Sequence, residues 1–416
     1  MDAVADQVSR NQLMSIDEAC AAATACAPPL SQGETVRLKD SVGRILAETF
    51  VARLALPPFT QSAMDGYALV AASGLSEGSR LKVVDRVPAG RCGRRLSAGE
   101  AARIFTGAPL SEGADAVVMQ EHVERDDTSI VLTRRMTVGD NVRYQGEDIE
   151  PLEPLLEPGI RLDPRHVAML AAQGAETVTV MSKLRIAVLS TGDELQDAGA
   201  VLRGAAVYDS NRPMLLSLLG QAGHDAIDGG RSPDSRAEIA ERLRVLSERS
   251  DLVISTGGAS VGEEDHSLAA LRHAGGSGRV LKIALKPAKP AIVGRIGQAA
   301  YLGLPGNPVA SLVSWLILGQ AMVGALQGRP HRPQIGYPLT IAAGFARRPG
   351  RTEFVPARLV SDKGQEVRAE IISTGGAAQL RPLALADGLA EIAAECGDLR
   401  PGDLIRFHPF YGVYQG

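Results

Sequence analysis

The sequence predicts a multi-domain protein of the α/β and β classes, organised around a central doubly wound α/β domain. Three observations predict it. From residue 184 onward, β-branched apolar runs end in glycine turns and lead into helical patterns, again and again. Before that stretch, and again after Arg329-Pro330, short strand-like runs alternate with turn residues, the texture of compact β domains. A chain of 416 residues, 45% of them hydrophobic, is also long enough for two or more domains with cores of their own.

Each element follows from local chemistry. Ser15-Ile16-Asp17-Glu18 opens a helix running to about residue 27, with Ser15 as N-cap and Glu18 at capping-box spacing; Pro28-Pro29 ends it. Residues 34–38 alternate as a strand, and 41–47 carry a helical turn. After the extended Pro57-Pro58-Phe59-Thr60 loop, strands at 81–87, 101–105, 116–119 and 129–132 build a small β domain over 51–149. Asp65-Gly66 in that region reads equally well as a simple hairpin turn. Residues 150–183 form a small connecting domain, with a helix over 164–173 capped by Asp163 and closed by Gly174, then a strand at 177–180.

In the α/β domain, strands are expected at 185–190, 225–228, 251–255, 282–285, 291–293 and 299–304, running parallel. Helices are expected over 213–222 and about 235–247, and from Ser267 and Val309 onward. Strands at 335–341, 352–359, 366–372, 390–394 and 403–408 predict a C-terminal β domain, a small barrel or sandwich.

Composition removes several function classes. A net charge of −4 argues against nucleic-acid or membrane binding driven by bulk charge, and 4% aromatic residues leave no stacking platform for single strands. Cys20, Cys26, Cys92 and Cys396 form no C-x-x-C pair, which argues against a disulfide framework or zinc knuckle. The acidic N-terminus lacks a signal-peptide core, and the longest apolar run, 309–326, is interrupted by Ser311, Ser314, Gly319 and Gln320. The expectation is a soluble, cytoplasmic protein with no nucleic-acid or membrane partner.

The chemistry is concentrated in the stretch D-L-V-I-S-T-G-G-A-S-V-G-E-E-D-H, from Asp251 to His266. Its strand ends at two glycines that permit a sharp turn and close approach to a ligand. Hydroxyls at Ser255, Thr256 and Ser260 with the amides of Gly257 and Gly258 suit a phosphate; Glu263, Glu264 and Asp265 suit Mg2+. Two further strand ends are built alike: Ser190-Thr191-Gly192-Asp193-Glu194, and Leu304-Pro305-Gly306-Asn307-Pro308 before a helix N-terminus. Lys286 and Lys289 lie in a loop stiffened by Pro287 and Pro290, which suits an oxyanion. There is no evident nucleophile triad and no Walker A sequence, so catalysis would rest on positioning and charge neutralisation.

The series Ser62-Ala63-Met64-Asp65-Gly66-Tyr67-Ala68, Thr106-Gly107-Ala108-Pro109, Val117 to Glu121, Gly146-Glu147-Asp148-Ile149, S-T-G-D-E-L at 190–195, Tyr208 to Arg212, Ser255 to Asp265, Lys286 to Pro290 and Gly303 to Pro308 resembles the molybdopterin molybdotransferases, the MoeA and gephyrin E-domain family. The matches run in family order over nearly the whole chain. The resemblance implies four domains: 1–27 with 184–330 (α/β), 28–50 with 150–183 (connecting), 51–149 (small β) and 331–416 (C-terminal β). It implies a homodimer with an intersubunit cleft, adenylylated molybdopterin and molybdate as substrates, AMP release, Mg2+ or a similar ion, and a molybdopterin adenylyltransferase as partner.

Position by position, the resemblance puts Glu194 and Asp265 nearest the metal and pyrophosphate, and Lys286 and Lys289 on molybdate or phosphate. Pro305 and Pro308 would shape the adjacent loop, Asp65, Thr106 and Asp148 would be the partner subunit's contribution, and Arg351 would reach the cleft. Two departures stand out. Arg231-Ser232-Pro233-Asp234 replaces an acidic pair, leaving only Asp234 as an acid, and Gly376 to Leu380 lacks the family's serine. A non-catalytic binding scaffold and another phosphoryl-transfer enzyme are the competing classes; the retained acids and lysines argue against the first, the Met64 to Tyr67 loop against the second.

Overall fold

The computed structural model describes residues 13–30, 32–257, 266–329, 336–361, 366–373 and 378–410. The chain divides into two compact units, one of Met1–Val36, Ser41–Ala47 and Thr179–Gly416, the other of Arg37–Asp40 and Glu48–Val178.

The second unit carries a six-stranded sheet in the order Ala116–Met119, Gly66–Leu69, Glu100–Ile104, Arg80–Val87, Ser129–Leu132, Val123–Arg125. Both faces are covered: Ala101 packs with Tyr67, Leu69 and Val118, and Ala102 with Val87 and Val117. A sheet buried on two sides accounts for strands that read as continuous apolar runs. Gly66 lies within a strand, and an added Cβ would overlap the carbonyl of Val118; close approach of the neighbouring strand, not a turn, requires glycine here. The helix Pro164–Ala172 begins as its cap predicts, with Asp163 accepting from the N–H groups of Arg165 at 2.8 Å and His166 at 3.3 Å. Buried Gln173 accepts from the N–H groups of Arg53 at 2.8 Å and Leu54 at 2.9 Å, tying this helix to the chain ahead of the sheet.

In the first unit, helix α1 (Ile16–Thr24) has the predicted capping box. The helical turn expected over 41–47 does not form. Gly43 takes φ +81° and Leu46 bridges Val180 as extended chain, which buries both apolar side chains.

The α/β region runs β1 (Arg185–Thr191), α2 (Asn211–Gln221), β2 (Asp225–Ser232), α3 (Arg236–Ser247), β3 (Leu252–Thr256), α4 (His266–His273), β4 (Ser277–Lys282), β5 (Leu285–Lys286), β6 (Pro290–Ile296), β7 (Ala299–Leu304) and α5 (Pro308–Leu326). The sheet order is β2-β1-β3-β7-β6-β4. The first four strands are parallel, but β6 runs antiparallel to both of its neighbours, β7 and β4, which corrects the expectation of an all-parallel sheet. The links from β4 to β6 and from β6 to β7 are shorter than the dozen or more residues a parallel crossover requires, so they close as hairpins.

The sheet is doubly wound. Ile186, Val188 and Ile254 pack against α1, α2 and α5 on one face, while Ala187, Leu189 and Val253 pack against α3 and α4 on the other. Helix α5 is long and apolar enough to cross a membrane, yet 78% of it is buried inside the protein, so its apolarity serves the core. It contains a π turn at Trp315–Gly319, where an added Cβ on Gly319 would overlap the Trp315 ring.

After α5 come β8 (Tyr337–Thr340), β9 (Thr352–Val360), β10 (Arg368–Ile371), β11 (Gly388–Ile392) and β12 (Leu404–Pro409). Pairings β9-β11, β11-β12, β12-β8 and β9-β10, with an Ile341–Ala369 bridge between the ends of β8 and β10, close a five-stranded ring. Ile341, Val355, Ala369, Ala390 and Phe407 fill it. Strand β5 leaves the α/β region and pairs in parallel with β9, setting Lys286 opposite Glu353.

Candidate active site

Strand order reverses between β1 and β3, whose carboxyl ends therefore bound the crevice where open α/β sheets take ligands. Three loops meet there. Gly257 takes φ +97°, its N–H donates to Leu304 O at 3.2 Å, and an added Cβ would overlap the Thr191 carbonyl; only glycine lets the loops after β1, β3 and β7 approach so closely. Asn211 at the start of α2 donates to Gly306 O at 2.7 Å, fixing the turn between Pro305 and Pro308.

The hydroxyls of β3 do not face this crevice as expected. Ser255 is fully buried and bonds Tyr301 OH at 2.6 Å, while Thr256 bonds Ser190 Oγ at 3.1 Å. Strand alternation turns Ser255 into the α3–α4 layer, so its assignment as a ligand contact is corrected: its hydrogen bond is spent on Tyr301. Gly258, Ser260 and Asp265 lie outside the described residues.

Glu194 is exposed, and its carboxylate lies over the Cα of Gly192, with no hydrogen bond or ion pair among the described residues. Behind it stands an arginine network the sequence did not reveal. Arg212, largely buried, pairs with Asp209 at 3.0 Å, Asp228 at 2.6 Å and also Asp197. Burial raises the Asp228 carboxyl, but the bond from Arg212 and the Gly230 N–H outweigh it and hold the group below its ordinary range. The signal available was only the acid spacing around Tyr208 to Arg212, which says nothing of β2.

Lys286 and Arg351 share a cavity of about 780 Å3, lined also by Arg347, Arg348 and Asp398. Lys286 Nζ pairs with Glu353 at 2.7 Å, and Glu353, buried, also meets Arg347 Nε at 3.2 Å. Arg351 Nη1 donates to Leu285 O at 3.4 Å. The loop between β5 and β6 holds Ala288 at φ +86°, a strained conformation for a residue with a side chain and of the kind found at ligand loops. Lys289 is exposed and does not line this cavity.

In the other unit, Asp65 and Thr106 are brought together. Asp65 Oδ1 accepts from the Thr106 N–H and from its hydroxyl, both at 2.8 Å, and these bonds hold the carboxyl below its ordinary 3.8. Asp148 is exposed on the turn that returns to Leu56, and its carboxylate has no partner among the described residues.

No group of three or more His, Cys, Asp or Glu side chains is placed to hold a metal among the described residues. An Mg2+ ion held mainly by phosphate oxygens and water needs one or two protein carboxylates, so the unpaired Glu194 fits such an ion.

A doubly wound α/β sheet with glycine-built strand ends at its switch point, joined through β5 to a barrel across a cationic cavity, defines a multi-domain α/β protein equipped for anionic ligands. Three family profiles match the chain: the MoeA N-terminal region (domain I and II) over 14–174, a probable molybdopterin binding domain over 187–324, and the MoeA C-terminal region (domain IV) over 338–410. Molybdopterin molybdenumtransferase of Haemophilus influenzae is 32% identical over 401 residues, 96% of this chain and 99% of that protein. Molybdopterin molybdenumtransferase 2 of Mycobacterium tuberculosis is 32% identical over 382 residues, 88% and 93%. A crystal structure of the molybdopterin biosynthesis moeA protein from Pyrococcus horikoshii OT3 superposes with a TM-score of 0.81 at 25% identity, covering 96% of this chain and all of that one. The chain belongs to the MoeA family.

Proposed function

We infer that this protein is a molybdopterin molybdotransferase acting in molybdenum cofactor biosynthesis, which inserts molybdate into adenylylated molybdopterin with release of AMP. The observation that carries the reading is the cavity lined by Lys286, Arg348 and Arg351. Several guanidinium and ammonium groups in one recess favour a tetrahedral dianion such as molybdate. Glu194, with Asp265, would hold Mg2+, which would neutralise charge on the phosphoanhydride. Thr191, Gly257 and Pro305 would form the wall against which the phosphates rest. Lys286 would orient molybdate, its own position fixed by Glu353.

In this reading Asp65, Thr106 and Asp148 act on a second copy of the chain, the working form is a cytoplasmic homodimer, and an adenylyltransferase supplies the substrate. The test is to incubate the purified chain with adenylylated molybdopterin, molybdate and Mg2+. AMP release that depends on molybdate is expected from the wild type and is expected to be lost in Lys286→Ala. A mixture of Asp65→Ala and Lys286→Ala subunits should recover part of it. Molybdate-independent AMP release, or none, would overturn the assignment.

A further inference from the structure

We propose that Arg231, in the segment Arg231 to Asp234 that departs from the family's acidic pair, is a positioning residue that clamps the Glu194 loop to the end of β2. Strand β2 pairs Asp228 with Val188 and Arg231 with Ser190, so two glycines, Gly229 and Gly230, stand opposite Leu189 as a bulge. Gly230 takes φ +72°, and an added Cβ on Gly229 would come within 2.7 Å of Val188 O. Three residues of plain alternation would put Asp228 and Arg231 on opposite faces of the sheet. The extra residue returns Arg231 to the face of Asp228, where Arg212 of α2 already sits.

From there Arg231 reaches the chain just after Glu194. Its Nη1 donates to the Leu195 carbonyl and its Nε pairs with Asp197 at 3.1 Å, the same Asp197 that Arg212 holds. The chain just before Glu194 is tied to the same strand end: Gly192 N–H donates to Ser232 O at 3.1 Å, and Asp193 Oδ1 accepts from Asp234 N–H at 3.0 Å. Glu194 is thus pinned from both sides while its own carboxylate stays unpaired. The planar fork of arginine is what allows the two contacts at once; a lysine ammonium keeps the charge without that geometry. Arg231 also shares with Arg212 the charge of Asp197.

This inference rests on the proposed reading of Glu194 as a metal ligand. The test titrates Mn2+, in the presence of inorganic pyrophosphate, into the full chain and follows bound metal by electron paramagnetic resonance. Arg231→Met should weaken Mn2+ binding about 10-fold or more, the usual scale for losing a residue that orients a ligand. Arg231→Lys should fall between it and wild type. In a Glu194→Gln background Arg231→Met should change nothing further, which a merely structural role would not produce. Should Arg231→Met fail to fold by calorimetry, Arg231→Lys carries the comparison. Equal weakening with and without Glu194, unchanged binding, or no binding by wild type would overturn the proposal. The readout needs no molybdenum insertion. Failure to release AMP therefore leaves a positive result standing, and AMP release with unaltered Mn2+ binding overturns only the clamp.

Discussion

Replacing Glu353 by glutamine tests the charge balance beneath the cationic cavity. The Arg347 side chain is 1% exposed, and its Nη atoms donate to the carbonyls of Ala393 and Arg351, both at 2.6 Å. Those acceptors are neutral, and Glu353 is the only carboxylate paired with this side chain among the described residues. At 3.2 Å the attraction is about 5 kcal/mol for an effective dielectric of roughly 20. Breaking a buried pair from one side typically costs about 3–5 kcal/mol, because the remaining charge stays desolvated. For a domain of this size that lowers the melting temperature by on the order of 10 °C. Scanning calorimetry of the full chain reads it, with Arg347→Met and the double variant completing a cycle. The double variant should regain most of the loss, since an uncharged pair leaves nothing unbalanced. A Glu353→Gln protein that melts within a degree or two of wild type would show that this pair is not the buried counterion pair described.

Thr106→Val removes the hydroxyl that Asp65 accepts from and should move the Asp65 pKa up toward 3.8, read by NMR of the carboxyl carbon. Because the folded value is depressed, the stability this pair contributes is fully present above pH 4 and is lost as pH falls through the folded value; a variant whose stability declines over the same acid range as wild type would contradict this. Ser255→Ala removes the 2.6 Å bond between the buried Ser255 and Tyr301 hydroxyls and should destabilise by about 1 kcal/mol, and Ser255→Ala and Tyr301→Phe should be coupled in a double-mutant cycle read by urea unfolding. A loss of substrate binding with unchanged stability would instead return Ser255 to the ligand side.

The local features were open to sequence reading because neighbouring residues determine them. Ser15 with Glu18 and Asp163 with the first-turn amides form caps within one helical turn. The glycine turns after β1 and β3 follow from apolar runs that must stop where the chain reverses. The Lys286 loop, with prolines on either side of Lys289, also shows its stiffness in sequence. What failed was the helical turn over 41–47, which pairing with Val180 overrides, and whatever depended on strand direction or parity. Strand β6, antiparallel to both its neighbours, looks like a parallel one because burial on both faces produces the same apolar run in either direction.

The sequence by itself therefore determined the fold class, the family, and the places where glycine, acid and lysine gather at strand ends. Only the tertiary structure decided which way those side chains face. Ser255 turns inward to Tyr301 because alternation points it there. Arg231 meets the Glu194 loop because one bulged residue in β2 changes the parity of everything after it. Lys286 lies against Glu353 because β5 pairs with a strand from another part of the chain. Register and pairing are set by the sum of contacts over two cores, and no local stretch of residues encodes that sum.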